Sequence, residues 1–176
     1  MTDKNSLLRT FHFERTEILA HKLIAKETWK LTFRSSELAK CTRPGQFFMI
    51  RIALCNDPLI GRALAMFDRH TDSAGNPEAI SVAYVVKGKF TQALSKMNAG
   101  QSIEVWGPLG NAFSIEPVDH LIMVAGGVGI TPMLTVATEA LGQAAFGSAE
   151  NPKRYASRAT LCYGARTREY LVGLEE

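Results

Sequence analysis

The sequence has few cysteines, and their number and spacing exclude two kinds of site. Cys41, Cys55 and Cys162 are odd in number and far apart among the 176 residues, which argues against a disulfide framework and favours a reducing compartment. They are also too few for an iron–sulfur cluster, which normally takes four ligands from closely spaced cysteines. We therefore expect no complete cluster in this chain and interpret the three thiols as small, buried apolar side chains.

Long apolar segments and clusters of one charge are also missing. The most apolar stretch, residues 121–130, is glycine-rich and much shorter than the about 20 residues of a spanning helix. Residues 1–15 lack the apolar run of a signal peptide. The net charge of +3 comes without a run of Lys and Arg. These shortages predict a soluble, cytoplasmic protein that binds neither a membrane nor nucleic acid.

Up to about residue 114 the chain consists of short apolar segments separated by turn sequences, such as Arg-Pro-Gly at 43–45 and Asn-Ala-Gly at 98–100. Many short strands with Gly- and Pro-containing turns favour an antiparallel barrel or sandwich. Apolar residues at helical spacing predict one short helix over residues 90–97. The predicted strands lie at residues 16–25, 28–34, 46–52, 62–68, 80–86 and 102–106.

The pattern changes after Pro117. A continuous apolar segment at 121–125, a predicted helix over 132–145 and a second predicted strand at 159–163 form the strand–helix–strand opening of a parallel nucleotide-binding sheet. A doubly wound nucleotide domain usually has about five or six strands, so this one is incomplete. The sequence predicts two domains, residues 1–116 and residues 117–176.

The most specific local motif is Ala-Gly-Gly-Val-Gly-Ile-Thr-Pro-Met at 125–133, between the apolar strand and the helix. Glycines allow close approach of a ligand to the backbone. Thr131 as N-cap and Pro132 as first helical residue would leave the next N–H groups facing an anion, such as a nucleotide pyrophosphate or a flavin edge. Alternatively, the glycines only make a tight turn. The motif is not the GxGxxG fingerprint, so a standard Rossmann assignment does not follow.

Two weaker motifs point to the same chemistry. Lys-Gly-Lys-Phe-Thr at 87–91 begins the short helix, where backbone N–H groups, the Thr91 hydroxyl and nearby lysines are suited to a pyrophosphate. Taken alone, these residues favour the alternative, a Thr-capped surface helix with solvated lysines. Arg62 begins an apolar strand, and its guanidinium is suited to a phosphate or to flavin oxygens. An arginine at an exposed strand end is the alternative.

Taken together, these motifs resemble the ferredoxin–NADP reductase-like superfamily and, within it, the electron-transfer subunits of bacterial dihydroorotate dehydrogenases. The resemblance extends from about residue 14 to the end of the sequence. It implies an all-β, antiparallel Greek-key FAD-binding barrel with one short helix, followed by an incomplete α/β nucleotide-binding domain. The segments that carry it are residues 44–47, 62–65, 88–91, 107–113 and 126–132.

The resemblance also implies where cofactors bind. It assigns no catalytic side chain and no metal ligand, and it leaves NADH and NADPH undistinguished, with Arg166 near the nucleotide. The segment that would contact FAD first is Arg62, Ala63, Leu64 and Ala65. The segment that would hold the FAD pyrophosphate is Gly88, Lys89, Phe90 and Thr91. The residues that would border both flavin and nicotinamide are Gly126, Gly127, Gly129, Thr131 and Pro132.

Two departures from the resembled family affect the expected activity. Ala65 stands where the family usually has a hydroxyl, which removes a hydrogen bond worth about 1 kcal/mol in positioning the flavin ring. The second departure is the absent C-terminal half, which in the resembled subunits completes the nucleotide domain and supplies the iron–sulfur cysteines.

The predicted function is flavin-dependent electron transfer, in which NAD(P)H reduces FAD and a redox partner protein or catalytic dehydrogenase subunit of pyrimidine biosynthesis receives the electrons. One alternative is a truncated, non-catalytic interaction module with weak or no flavin binding. Another is an FAD protein that uses free flavin or a separate protein as acceptor. Apolar residues on the unfinished sheet, Leu134, Leu141, Leu161 and Leu174, predict self-association or a complex with another subunit.

Overall fold

A computed structural model of the chain describes residues 11–114, 116–147, 149 and 151–173. Six antiparallel strands close into a barrel in the order β1-β2-β5-β4-β3-β6. This confirms the predicted fold class. The barrel strands are β1 (His12–Ala25), β2 (Thr28–Arg34), β3 (Phe47–Ile52), β4 (Arg62–Thr71), β5 (Pro77–Val85) and β6 (Ser102–Leu109).

The barrel closes around alternating apolar side chains. In β2, Leu31 and Phe33 point inward and are fully buried, as the two-residue period of a strand requires. The rings of Phe33 and Phe48 meet edge to face in the centre, with centroids 5.9 Å apart and planes at 85°. These inward side chains form the larger of two apolar cores.

Two short helices accompany the barrel, one more than the sequence predicts. Helix α1 (Ser36–Cys41) follows β2, and the Ser35 hydroxyl caps it by accepting a hydrogen bond from the Leu38 N–H. With only six residues, it is too short to show a helical period. Helix α2 (Lys89–Leu94) is the helix that the sequence predicts over residues 90–97, although it ends three residues earlier.

A two-stranded parallel sheet follows the barrel. It consists of β7 (Val118–Gly126) and β8 (Ala156–Gly164), joined through a 3₁₀ turn (Gly127–Ile130) and helix α3 (Met133–Ala140). A second apolar core, which contains Phe67, Ala83 and Ile130, joins this unit to the outer surface of β4 and β5. The boundary between residues 116 and 117 stays a prediction.

The structure corrects several sequence-based expectations in this second unit. Helix α3 ends at Ala140 rather than at 145, because Gly142 adopts a left-handed φ of +67° and its N–H donates to the Glu139 carbonyl. Thr131 is not the N-cap of α3, since it has helical dihedrals and ends the 3₁₀ turn, while Pro132 takes the N-cap position. Cys162 is exposed rather than buried.

The uncovered apolar surface lies on different residues from those predicted. Leu134 and Leu161 pack against the second core, and Leu174 lies outside the described residues. Exposed apolar side chains occur instead on the opposite face of β7, where Val118, Ile122 and Val124 are 43%, 61% and 74% exposed. Within the described ranges, no helix has the length and apolar character needed to cross a membrane.

Glu139 of α3 predicts an unusual pH dependence of stability. Its Oε1 lies 3.9 Å from the Arg43 guanidinium, but its Oε2 is buried without a hydrogen-bond partner among the described residues. Burial raises the pKa of Glu139, and Arg43 only partly opposes this. The ionised carboxylate therefore lowers the stability of the fold above the folded-state pKa, and the penalty disappears below the unfolded pKa of about 4.5.

Glu139→Gln should therefore raise the free energy of unfolding at pH 7 by about 1 kcal/mol, with a smaller gain at pH 5. Urea denaturation at the two pH values measures both numbers. Glu37→Gln, at an exposed site on α1, is the control and should change stability by less than about 0.5 kcal/mol. An equal loss of stability at both pH values in Glu139→Gln would contradict this prediction. It would mean that the ion pair with Arg43 stabilises the fold more than burial of the Glu139 carboxylate destabilises it.

Candidate functional site

A cavity of about 730 Å³ lies between the barrel and the glycine turn after β7. Its volume is in the usual range for a small-molecule or cofactor site. We call it the main cavity. Three segments that are far apart in sequence, beginning at Arg62, Ala83 and Val128, form its walls. Its lining residues are Arg62, Ala63, Leu64, Ala65, Ala83, Tyr84, Val85, Lys87, Gly88, Phe90, Thr91, Val128, Gly129, Thr131 and Pro132.

Most of the residues predicted from the sequence meet in this cavity. All four residues of the 62–65 segment line it, together with three each from the other two segments. Those that do not are Lys89, Gly126 and Gly127. Lys89 points instead to the loop between β3 and β4, where its Nζ lies 2.5 Å from Asp57 Oδ2 on the surface. Gly127 lines a neighbouring cavity.

The first wall is the beginning of β4. The Arg62 guanidinium is exposed, and its Nη1 donates hydrogen bonds to the carbonyls of Ile60 and Gly61 at 3.4 and 3.2 Å. Most of its donors therefore remain available to a ligand. Leu64 is largely buried in the barrel core, while Ala63 and Ala65 contribute methyl groups without any hydrogen-bonding atom.

The second wall is the turn between β5 and α2. The Thr91 hydroxyl accepts hydrogen bonds from the N–H groups of Lys87 and Gly88 at 2.9 and 3.1 Å and donates to the Gly88 carbonyl. Thr91 therefore shapes the turn from within, while the N–H groups of Lys89, Phe90 and Thr91 have no acceptor in the helix. A Cβ added at Gly88 would meet no atom within 4 Å, so the turn faces open space.

The third wall is the glycine turn. Gly127 has a left-handed φ of +52°, which favours glycine at this position. Cβ atoms added at Gly126 or Gly129 would meet nothing within 4 Å. Close packing between helix and strand therefore does not require these two glycines, and this argues against the alternative in which they serve only a tight turn.

A second cavity of about 460 Å³ adjoins the first and shares Val85, Lys87 and Val128 with it. Arg166 and Tyr170 line its far side. Among the charged groups nearby, Lys26 binds Glu169 at 2.6 Å, and this hydrogen bond lowers the pKa of Glu169. Arg166 thus lines this second cavity, as does Glu27, and its place near a nucleotide stays a prediction.

Sequence reasoning missed several lining residues, most clearly Tyr84. Its ring is buried in the barrel core and its hydroxyl lies 2.9 Å from His21 Nε2. Burial raises the pKa of Tyr84 and keeps the hydroxyl protonated. A single tyrosine in an apolar strand carries no local sequence signal of this kind. Among the described residues, no cluster of three or more His, Cys, Asp or Glu side chains is suited to a metal ion.

The family follows from a match to the model of oxidoreductase FAD-binding domains, which covers residues 15–113, more than half of the chain. The chain belongs to this family. The matched range contains most of β1, all of β2 to β6 and two of the three walls of the main cavity. The third wall comes from the unit that follows this FAD-binding domain.

Similar proteins confirm the resemblance inferred from the motifs. The chain is 33% identical over 129 residues to the dihydroorotate dehydrogenase B (NAD⁺) electron transfer subunit of Geobacillus kaustophilus, covering 72% of this chain and 49% of that protein. It is 38% identical over 96 residues to the corresponding subunit of Clostridium acetobutylicum, covering 54% and 36%. The chain spans about half the length, or less, of these curated relatives.

Solved structures show the same fold. The NADH-dependent reduced ferredoxin–NADP oxidoreductase matches with a TM-score of 0.69 and 29% identity, over 91% of this chain and 51% of that one. Phthalate dioxygenase reductase matches with a TM-score of 0.66 and 18% identity, over 91% and 46%. The FAD-binding domain and the described part of the following unit thus have the fold of these reductases.

The main cavity fits the cofactor for which the family is named. Its lining includes two cationic side chains, Arg62 and Lys87, and no carboxylate from the described residues. The N–H groups of Lys89, Phe90 and Thr91, which have no acceptor within α2, add further positive potential. An anionic pyrophosphate with apolar groups on either side matches this combination of charge and methyl-lined walls.

Proposed function

We propose that this FAD-binding domain acts in electron transfer from NAD(P)H to a protein partner. FAD in the main cavity would supply the redox chemistry, taking up a hydride and giving up electrons singly. The observation that carries the proposal is the convergence of the 62–65, 88–91 and 129–132 segments on one cavity, to whose lining the described residues contribute no carboxylate.

The residues that would hold FAD follow from the walls. The Arg62 guanidinium and the free N–H groups at the start of α2 would bind the pyrophosphate. Thr91 would keep these N–H groups in place through its hydrogen bonds to the turn. Open space at Gly88 and Gly129 would let the ligand approach the backbone. Gly126, Thr131 and Pro132 would complete the border toward the nicotinamide.

The second cavity would receive the nicotinamide nucleotide. Gly127 and Val128 lie in its lining, and Val128 also lines the main cavity, so the two sites would be adjacent. Arg166 at the far side would bind a phosphate of the nucleotide.

The proposed partner is a catalytic dehydrogenase subunit or another redox protein. Relatives named as electron transfer subunits support this, as does the exposed apolar face of β7 formed by Val118, Ile122 and Val124. A second copy of the chain would cover the same face in a homo-oligomer. The cytoplasmic location and the lack of an iron–sulfur cluster in this chain stay predictions.

A non-catalytic interaction module remains the second candidate function. It is favoured by Ala65, which provides no hydrogen bond to a flavin, and by a following sheet that has only two strands among the described residues. This candidate predicts that the main cavity binds FAD weakly or not at all.

The deciding experiment is an absorption spectrum of the protein after FAD addition and desalting, followed by anaerobic titration with NADH and with NADPH. Retained flavin bands that bleach support the reductase, and absent bands support the interaction module.

Ala65→Ser should speed bleaching by roughly fivefold, the rate equivalent of one recovered hydrogen bond of about 1 kcal/mol. Ala99→Ser, at an exposed turn outside the lining of the main cavity, is the control and should leave the rate unchanged. Retained bands that neither nucleotide bleaches would contradict the reductase.

A further inference from the structure

One imidazole joins the two ends of a segment that lines the main cavity. His21 of β1 lies with Nδ1 2.8 Å from the Met97 carbonyl oxygen and Nε2 2.9 Å from the Tyr84 hydroxyl. The Trp29 ring packs against it, with centroids 4.8 Å apart. His21 itself does not line the main cavity.

The two partners determine which nitrogen carries the proton. A carbonyl oxygen only accepts, so Nδ1 must be the donor to Met97, and in the neutral ring Nε2 accepts the Tyr84 proton. Burial lowers the pKa of His21 and favours this neutral ring. Tyr84, whose own pKa is raised by burial, remains a donor.

The segment between these partners contains one wall of the cavity. From Tyr84 the chain leaves β5, makes the turn that Thr91 holds together, forms α2 and reaches Met97. Phe90 and Leu94 anchor the middle of the segment in the barrel core. The turn itself is largely exposed. The hydrogen bonds of His21 to Tyr84 and Met97 restrain the segment before and after it.

We propose that His21 is a positioning residue for this wall, and that its protonation loosens the Lys87–Thr91 turn and weakens FAD binding. The inference rests on the proposed function. In the protonated ring Nε2 becomes a donor that faces the Tyr84 donor, so the Tyr84 hydroxyl has to turn its proton away. Tyr84 from β5, Trp29 from β2 and the Met97 carbonyl face the ring, and His21 forms no ion pair with any described residue.

The test compares His21→Phe, which retains ring packing on Trp29, with His21→Asn, whose amide retains a donor near the Met97 carbonyl. FAD affinity is measured by flavin fluorescence at pH 7.5 and 5.5, well below the melting temperature. His21→Phe should raise the Kd about tenfold at pH 7.5, and His21→Asn should recover part of this loss. The wild-type Kd should rise on acidification, while the Kd of His21→Phe should respond much less. His12→Phe, on the same strand, is the control.

Amide hydrogen exchange of the flavin-free protein provides a second readout. Residues 87–92 should exchange faster in His21→Phe than in the wild type, and faster at pH 5.5 after correction for intrinsic exchange rates. A lowered melting temperature with unchanged Kd and unchanged exchange would mean an ordinary structural role and overturn the inference. If the wild type fails to bind FAD, the proposed function is wrong. The exchange measurement alone then decides whether His21 restrains the turn.

Discussion

Valine in place of Gly129 is expected to abolish FAD binding while leaving the fold intact. Gly129 lines the main cavity, and a Cβ added there meets no atom within 4 Å. Its φ is outside the left-handed region, so a branched side chain causes no backbone strain. The added methyl groups would occupy space that the flavin needs. The FAD Kd should rise at least about 100-fold, equivalent to roughly 2.7 kcal/mol, in a fluorescence titration.

Gly164→Val is the matched control for this prediction. Gly164 ends β8, has equally open space around its Cβ position and does not line the main cavity. It should therefore bind FAD like the wild type. Circular dichroism and thermal unfolding of both variants establish that the flavin-free folds are alike. Normal FAD affinity in Gly129→Val would place the flavin away from the glycine turn and contradict the three-wall site.

The barrel was predictable from the sequence because its short apolar segments are separated by Gly- and Pro-containing turn sequences. The β2 strand was predicted with the bounds that the structure shows, Thr28–Arg34. Helix α1 was not, since six residues with two buried side chains produce no measurable helical period. Helix α3 was predicted too long because the Ala-rich residues after it favour a helix, whereas the left-handed Gly142 ends it.

The candidate site was only partly predictable. Each glycine or arginine motif suggested a phosphate or flavin contact separately, but their convergence depends on barrel closure and on how the second unit packs against β4 and β5. Lys89 was assigned to the site as part of a motif, yet an ion pair with Asp57 directs its side chain elsewhere. The pair of His21 and Tyr84 is 63 residues apart in sequence, and no local pattern connects them.

The largest loss of stability is expected from Phe48→Ala in β3. Phe48 is fully buried, packs edge to face on Phe33 and lies so close to Gly107 that an added Cβ there would stand 3.0 Å from its ring. Removing such a ring typically costs about 3–5 kcal/mol, because the surrounding barrel strands cannot collapse fully into the space. This is a large part of the about 5–15 kcal/mol by which domains are stable. Urea denaturation of the flavin-free protein measures the loss.

Phe13→Ala removes the same side chain from an exposed position of β1 and should cost less than about 1 kcal/mol. Equal losses in the two variants would contradict the assignment of the barrel interior as the main core.

Phe48 is also paired in register with Leu64 of the first cavity wall. Since a ligand that binds only the folded state stabilises it in proportion to its occupancy, excess FAD should restore part of the stability of Phe48→Ala. The same addition should leave Gly129→Val unchanged, because that variant retains the core but lacks the space for the flavin.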